Sequence, residues 1–175
     1  LIDNLKPSWR NEFEIVDALQ MLLNIDQKIK YYKITDFWKD TGTPEDILQA
    51  NKTILENMKP YFSGIKDDDV LIEGNVMIGD GTIIKSGSKI IGPVIIGKNC
   101  LISNNVQIGP NTSIGDNSRL SNCHIERSIM MNNCKITCNM KIKNSIIASH
   151  SKISEQKIKQ DEKIFLLGEG TIITL

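Results

Sequence analysis

From Ile72 onward the chain repeats every six residues. Moving in sixes from Ile72 meets Ile78, Ile84, Ile90, Ile96, Ile102, Ile108, Ile114 and Leu120. Four residues after each of the first eight stand Val76, Thr82, Ser88, Val94, Cys100, Val106, Thr112 and Ser118, all small or β-branched. A helix repeats at about 3.6 residues and a strand at about 2, so a strict six demands short strands with a corner after each. Three such strands make one turn of a prism whose aliphatic side chains stack in ladders inside. The small residues fit where the interior is narrowest, and Gly, Asn or Asp at the corners tolerates left-handed dihedrals. The pattern predicts an all-β parallel β-helix of three coils from Ile72 to Ile125.

The frame slips after Leu120. His124 falls at an inward position and reads as a packed, hydrogen-bonded side chain. The series then resumes with Met130, Ile136 and Ile142, followed four residues later by Cys134, Met140 and Ile146. Residues 154–163 are polar and without period, and Leu167-Gly168-Glu169-Gly170-Thr171 repeats the motif once more. That tail predicts a loop and a strand capping the open end of the stack.

The preceding residues use a different vocabulary. Eight of the 9 aromatic residues lie in the first 62 positions, whereas isoleucine occurs 8 times before Ile72 and 22 times from there on. The contrast predicts two domains: 1–62, a linker 63–71, the prism 72–153, and the loop and capping strand 154–175. Ile15, Ala18, Leu19, Leu22 and Leu23 form one apolar helical face opposite Glu14 and Asp17. Lys30 to Phe37 reads as a strand. Thr43-Pro44-Glu45-Asp46 is a helix start, with a hydroxyl cap, proline in the first turn and acids at the positive end of the dipole. Ile47, Ala50, Ile54, Leu55 and Met58 mark its expected buried face, and Lys59-Pro60 its end. One strand and two helices cannot close a core. This part reads as the last third of an α/β domain, and the chain, which starts at Leu1, as a piece of a longer protein.

Charge narrows the function. Lys+Arg and Asp+Glu are 21 each, so the basic surplus of a nucleic-acid or anionic-membrane binder is missing. No apolar run is long enough to span a bilayer, and the 4 cysteines are too few for a disulfide scaffold, which points to the cytoplasm. Cys134-x3-Cys138 lacks the second pair of a metal site. Asp40, just ahead of a helix N-terminus, either holds Mg²⁺ against a phosphate or hydrogen-bonds within its turn. Arg10 either grips a phosphate bidentately or stands solvated. Hexapeptide prisms are common among acyltransferases that use a histidine base, and His124 and His150 are the candidates here. Neither sits in a loop excursion rich in Asn, Gly and Lys.

Two segments carry a family resemblance. Lys6-Pro7-Ser8-Trp9-Arg10-Asn11-Glu12-Phe13-Glu14-Ile15-Val16-Asp17-Ala18 resembles the K-P-S-x-R-G-E-x-E-I-T-D-A stretch of sugar-1-phosphate nucleotidyltransferases, in particular the glucose-1-phosphate thymidylyltransferases. Phe37 to Asp46, followed by Ala50-Asn51-Lys52, resembles their W-x-D-T-G-x-P-E-D-L-L-x-A-N-R stretch. The prism, the slip at Glu126-Arg127-Ser128-Ile129 and the tail at Leu166-Leu167-Gly168-Glu169 are similar to the long form of these enzymes.

The resemblance implies an α+β remnant of a nucleotidyltransferase α/β domain followed by a left-handed parallel β-helix. It implies sugar 1-phosphate and nucleoside triphosphate as substrates and Mg²⁺ as cofactor; the flat prism faces and the apolar sides of the remnant helices predict homo-oligomers, and the charge balance predicts no nucleic acid or membrane partner. By resemblance Asp40 is a metal ligand and Arg10 a catalytic phosphate contact, while Trp38 and Glu14 line or support the sugar pocket. Asn11 and Val16 replace the family's Gly and Thr. The family's glycine-rich nucleotide loop and other Mg²⁺ carboxylate are not among these residues, so the segment by itself is expected to be inactive. A sugar acyltransferase and a purely structural oligomerisation module are the alternative readings.

Overall fold

The computed structural model describes residues 4–154. The chain divides into two compact units, Leu1–Trp38 and Lys39–Leu175. The first contains α1 (Ile15–Asn24), which forms where the apolar periodicity placed it. The expected strand at Lys30 to Phe37 is not one: residues 27–35 carry no regular structure, and Tyr31, Tyr32 and Ile34 are exposed. A strand needs a neighbour for its N–H and C=O groups, and among the described residues this segment takes part in no strand pairing.

The second unit opens with α2 (Pro44–Glu56). Thr43 caps it as expected, its hydroxyl accepting from the Asp46 N–H at 3.2 Å. The face α2 buries is turned partly from the one anticipated. Of that face Leu55 is almost fully buried and Ala50 and Met58 are half-buried, while Ile47 and Ile54 stay exposed and Leu48, Asn51 and Lys52 are shielded instead. The surface it meets explains the rotation, because the prism offers polar groups there. Asn51 donates to the Asn111 carbonyl at 3.2 Å and accepts from the Ser113 hydroxyl at 2.6 Å.

The prism follows as fifteen strands among the described residues, most of them two or three residues long. The first five are β1 (Tyr61–Phe62), β2 (Ile65–Lys66), β3 (Leu71–Glu73), β4 (Val76–Ile78) and β5 (Ile83–Ile84). Then come β6 (Lys89–Ile91), β7 (Val94–Ile96), β8 (Leu101–Ile102), β9 (Gln107–Ile108) and β10 (Thr112–Ile114). Last are β11 (Arg119–Glu126), β12 (Ile129–Met130), β13 (Lys135–Lys143), β14 (Ile146–Ile147) and β15 (Lys152–Ser154). All pairings are parallel. One face stacks β1-β4-β7-β10-β12-β14; the other two join where the long β11 and β13 bend around a corner. Pairing begins at Tyr61, so residues 61–66, expected to end one domain and begin a linker, already form part of the first coil.

Both inward ladders are where the six-residue frame put them. Ile78, Ile84, Ile90, Ile96, Ile102, Ile108, Ile114 and Leu120 are buried, as are all eight small residues from Val76 to Ser118. The hydroxyls also bridge coils. Thr82 donates to the Gly97 carbonyl at 2.6 Å and accepts from the Cys100 N–H at 3.0 Å; Ser88 does the same with Ser103 and Val106. Corners turn through left-handed backbone, as Gly81, Asn99, Asn117, Asn133 and His150 do along one edge. His150 is thus an exposed corner residue.

Through Leu120 the paired coils of the repeat are eighteen residues apart, as with Ile72 and Ile90 or Ile84 and Ile102. Then Ile125 pairs with Ile108 and Met130 with Ile114, one and two residues short. The steps from Leu120 to Ile125 and on to Met130 each lose a residue, because the left-handed corners Asn122 and Arg127 come one position early. A one-residue slip turns each side chain to the other face of a strand. His124, expected inward, therefore faces outward between buried Cys123 and Ile125. Likewise Cys138 is inward and Met140 exposed, and Ile147 rather than Ile146 lies in the core. The expected loop and capping strand lie at 154–175, of which all but Ser154 fall outside the described residues. Among the described residues no helix is long and apolar enough to cross a membrane.

Candidate functional site

In the first unit a tight turn precedes α1. The Asn11 N–H donates to the Ser8 carbonyl and the Ser8 N–H to the Glu12 carbonyl, both at 2.8 Å. Asn11 itself takes φ 58°, a left-handed conformation open to Gly and Asn alike, so Asn in place of the family's Gly leaves this turn available. The turn aims the Arg10 guanidinium at Glu14 Oε1, 2.7 Å away, with Glu12 at 3.8 Å and the Trp9 ring 6.0 Å from its centre. The hydrogen bond from Arg10 is the main reason that the Glu14 carboxyl sits below its usual range, with Ser8 adding to it. Arg10 remains half exposed, so a phosphate can reach its free N–H groups without expelling Glu14. Trp38, at the end of this unit, is exposed.

In the second unit Asp40 precedes the helix start. Its carboxylate is exposed, with Gly42 folded close beside it. The neighbouring charges pair with each other: Lys39 meets Asp46 at 2.6 Å, and Asp46 accepts from the Thr43 hydroxyl at 2.7 Å. The Asp46 carboxyl is held low chiefly by Lys39. Mg²⁺ keeps several waters and takes one or two carboxylates besides phosphate oxygens. An exposed Asp40 fits as one such ligand. Among the described residues no three His, Cys, Asp or Glu side chains gather to hold a metal without further help. The structure thus brings Arg10 and Glu14 together in one unit and carries Asp40 in the other.

A second polar site lies on the prism, and the six-residue frame did not reveal it. In the register, Gln107, His124 and Lys141 occupy one outward position on three successive coils. They line a groove of about 470 Å³, with Asn105 and Asn122 at its corner and Met140 at its side. Beside it His124 Nε2 donates to Glu126 at 3.0 Å, and Lys143 meets the same carboxylate at 2.6 Å. Lys143 is the main cause of the Glu126 carboxyl lying low and, being close by, pushes the Lys141 ammonium down. The signal in the sequence was the seventeen-residue return from His124 to Lys141 and from Glu126 to Lys143, which is legible only once the coil is known to have shortened.

Comparison with known proteins bears on both units. Residues 1–57 match the nucleotidyl transferase family, and residues 90–174 match the GMPPB C-terminal domain. The first of these matches marks residues 1–57 as a segment similar to nucleotidyl transferases. Glucose-1-phosphate thymidylyltransferase of Streptomyces antibioticus is 36% identical over 127 residues, 73% of this chain and 35% of that protein. The low-salt glycan biosynthesis nucleotidyltransferase Agl11 of Haloferax volcanii is 34% identical over 130 residues, 74% of this chain and 36% of that one. Bifunctional protein GlmU of Methanococcus aeolicus is 41% identical over 85 residues, 49% of this chain and 20% of that one. The chain spans about a third of the length of the first two. Arg10, Glu14, Trp38 and Asp40 all lie within the nucleotidyl transferase segment, and so does α2. That segment therefore continues from the first compact unit into the helix that packs on the prism.

Proposed function

We propose that this chain is the C-terminal part of a sugar-1-phosphate nucleotidyltransferase of the glucose-1-phosphate thymidylyltransferase kind. Such an enzyme joins a sugar 1-phosphate to a nucleoside triphosphate and releases pyrophosphate. The observation that carries the reading is the nucleotidyl transferase match at residues 1–57, which takes in both motif segments. Arg10 would contact a phosphate through the guanidinium N–H groups that Glu14 leaves free. Glu14 would keep that guanidinium aimed and, with Trp38, support the sugar pocket. Asp40 would be one of the ligands of Mg²⁺, which when bound offsets the negative charge crowded around the α-phosphorus. The prism would serve self-association, and four buried cysteine thiols accord with a reducing cytoplasm.

Asp40→Asn in the full-length enzyme tests this. The change preserves shape at an exposed position, so the melting temperature should stay within about 1 °C, an effect below about 0.5 kcal/mol. Turnover, followed by pyrophosphate release, should fall by about a hundredfold or more. Unchanged turnover at limiting Mg²⁺ would remove Asp40 from the metal site.

A further inference from the structure

We infer that the groove formed by Gln107, His124 and Lys141 on the prism binds a sugar monophosphate, at a site separate from the nucleotidyl transferase segment. Strands of neighbouring coils lie about 4.8 Å apart, so three side chains in register span about 10 Å, the length of a phosphorylated hexose. The groove's volume of about 470 Å³ is in the range of small-molecule sites and far exceeds a bare phosphate.

Its chemistry suits both ends of such a ligand. Residues 119–154 contain six Lys and Arg but only one acid, Glu126, in a chain whose net charge is zero. Glu126 is already engaged by Lys143 and His124. Lys141 lines the groove without an ion-pair partner among the described residues, and Lys143, two residues on and beside the groove, adds a like charge near it. A dianionic phosphate there would relieve that repulsion and accept charge-assisted hydrogen bonds from Lys141. The carboxylate takes the His124 Nε2–H, which fixes the ring and leaves its other nitrogen for a ligand. At the other end Gln107, Asn105 and Asn122 supply both donors and acceptors, which hydroxyl groups need, and Met140 supplies an apolar edge for ring carbons. None of these residues lies in the 1–57 match, so the site stands whether or not the nucleotidyltransferase reading holds.

Calorimetric titration of the 175-residue chain with glucose 6-phosphate, inorganic phosphate and glucose tests the assignment. Glucose 6-phosphate should bind saturably at one site, inorganic phosphate about tenfold more weakly, and glucose not measurably below about 10 mM. Lys141→Gln should weaken glucose 6-phosphate binding about tenfold and His124→Gln about threefold, with melting unchanged. Lys135→Gln, which removes the same charge from another face of the prism, should leave binding as it was. No saturation by about 10 mM would overturn the site. So would equal weakening by Lys135→Gln, which would mean diffuse attraction, or undiminished binding by Lys141→Gln, which would place the ligand elsewhere.

Discussion

Ile90, Ile102 and Ile125 in the prism are fully shielded, whereas Ile15, Val16 and Leu23 on α1, equally apolar, stand 72, 67 and 52% exposed. The difference is one of closure. Each coil of the prism is roofed by the next, so eighteen residues bury their own aliphatic side chains as soon as a neighbouring coil exists. An amphipathic helix has no such neighbour in sequence and depends on a sheet from elsewhere in a domain. The repeat therefore carries its stability locally, and the nucleotidyl transferase segment depends on a surface that the described residues do not supply. Helix α2 shows the intermediate case, belonging to that segment by sequence yet packing against β10.

The contrast can be broken by matched substitutions. Ile108→Asp puts an unpaired carboxylate into a sealed ladder and should cost more than about 4 kcal/mol, enough to abolish the cooperative thermal transition. Leu19→Asp, the same kind of change on α1 in this chain, should move the main transition by less than about 0.5 kcal/mol. Comparable losses in circular-dichroism melts would show that both units draw their stability from the same kind of packing.

Leu55→Ala sharpens the position of α2. Deleting a large side chain that is almost fully buried should cost about 2–4 kcal/mol. Because α2 is held to the prism chiefly from one side, the loss should appear as faster hydrogen exchange in α2, with the coils of Ile84 and Ile102 still protected. Equal deprotection of the coils would mean that α2 and the prism unfold as one.

The smallest expected effect concerns acid. Glu126 is held below its usual carboxylate range, first by Lys143, so its stabilising contribution is complete above the unfolded-state value near 4.3. It is lost as pH falls from there through the lower folded value. Glu126→Gln should consequently lower the melting temperature at pH 7 and converge with the parent once the pH is well below that lowered folded value. A shift of equal size at both pH values would assign the role of Glu126 to shape rather than charge.

Much of the prism is legible in the residue order alone. Identical chemistry every six residues admits few conformations, and the ladders from Ile78 to Leu120 lie where the period puts them because each is fixed by its immediate neighbours. The capped start of α2 is equally legible, since Thr43 and Asp46 act across three residues. Long-range pairing decided the rest. Lys30 to Phe37 has the composition of a strand but no neighbour to bond among the described residues. The rotation of α2 followed from Ser113 and Asn111, some sixty residues away. His124 changed faces because Asn122 turned the corner one residue early, and only that turn set it beside Gln107 and Lys141. Periodicity determines which residues face inward as long as the period holds; where a residue is lost, hydrogen bonding to the preceding coil selects the register, and the groove is its product.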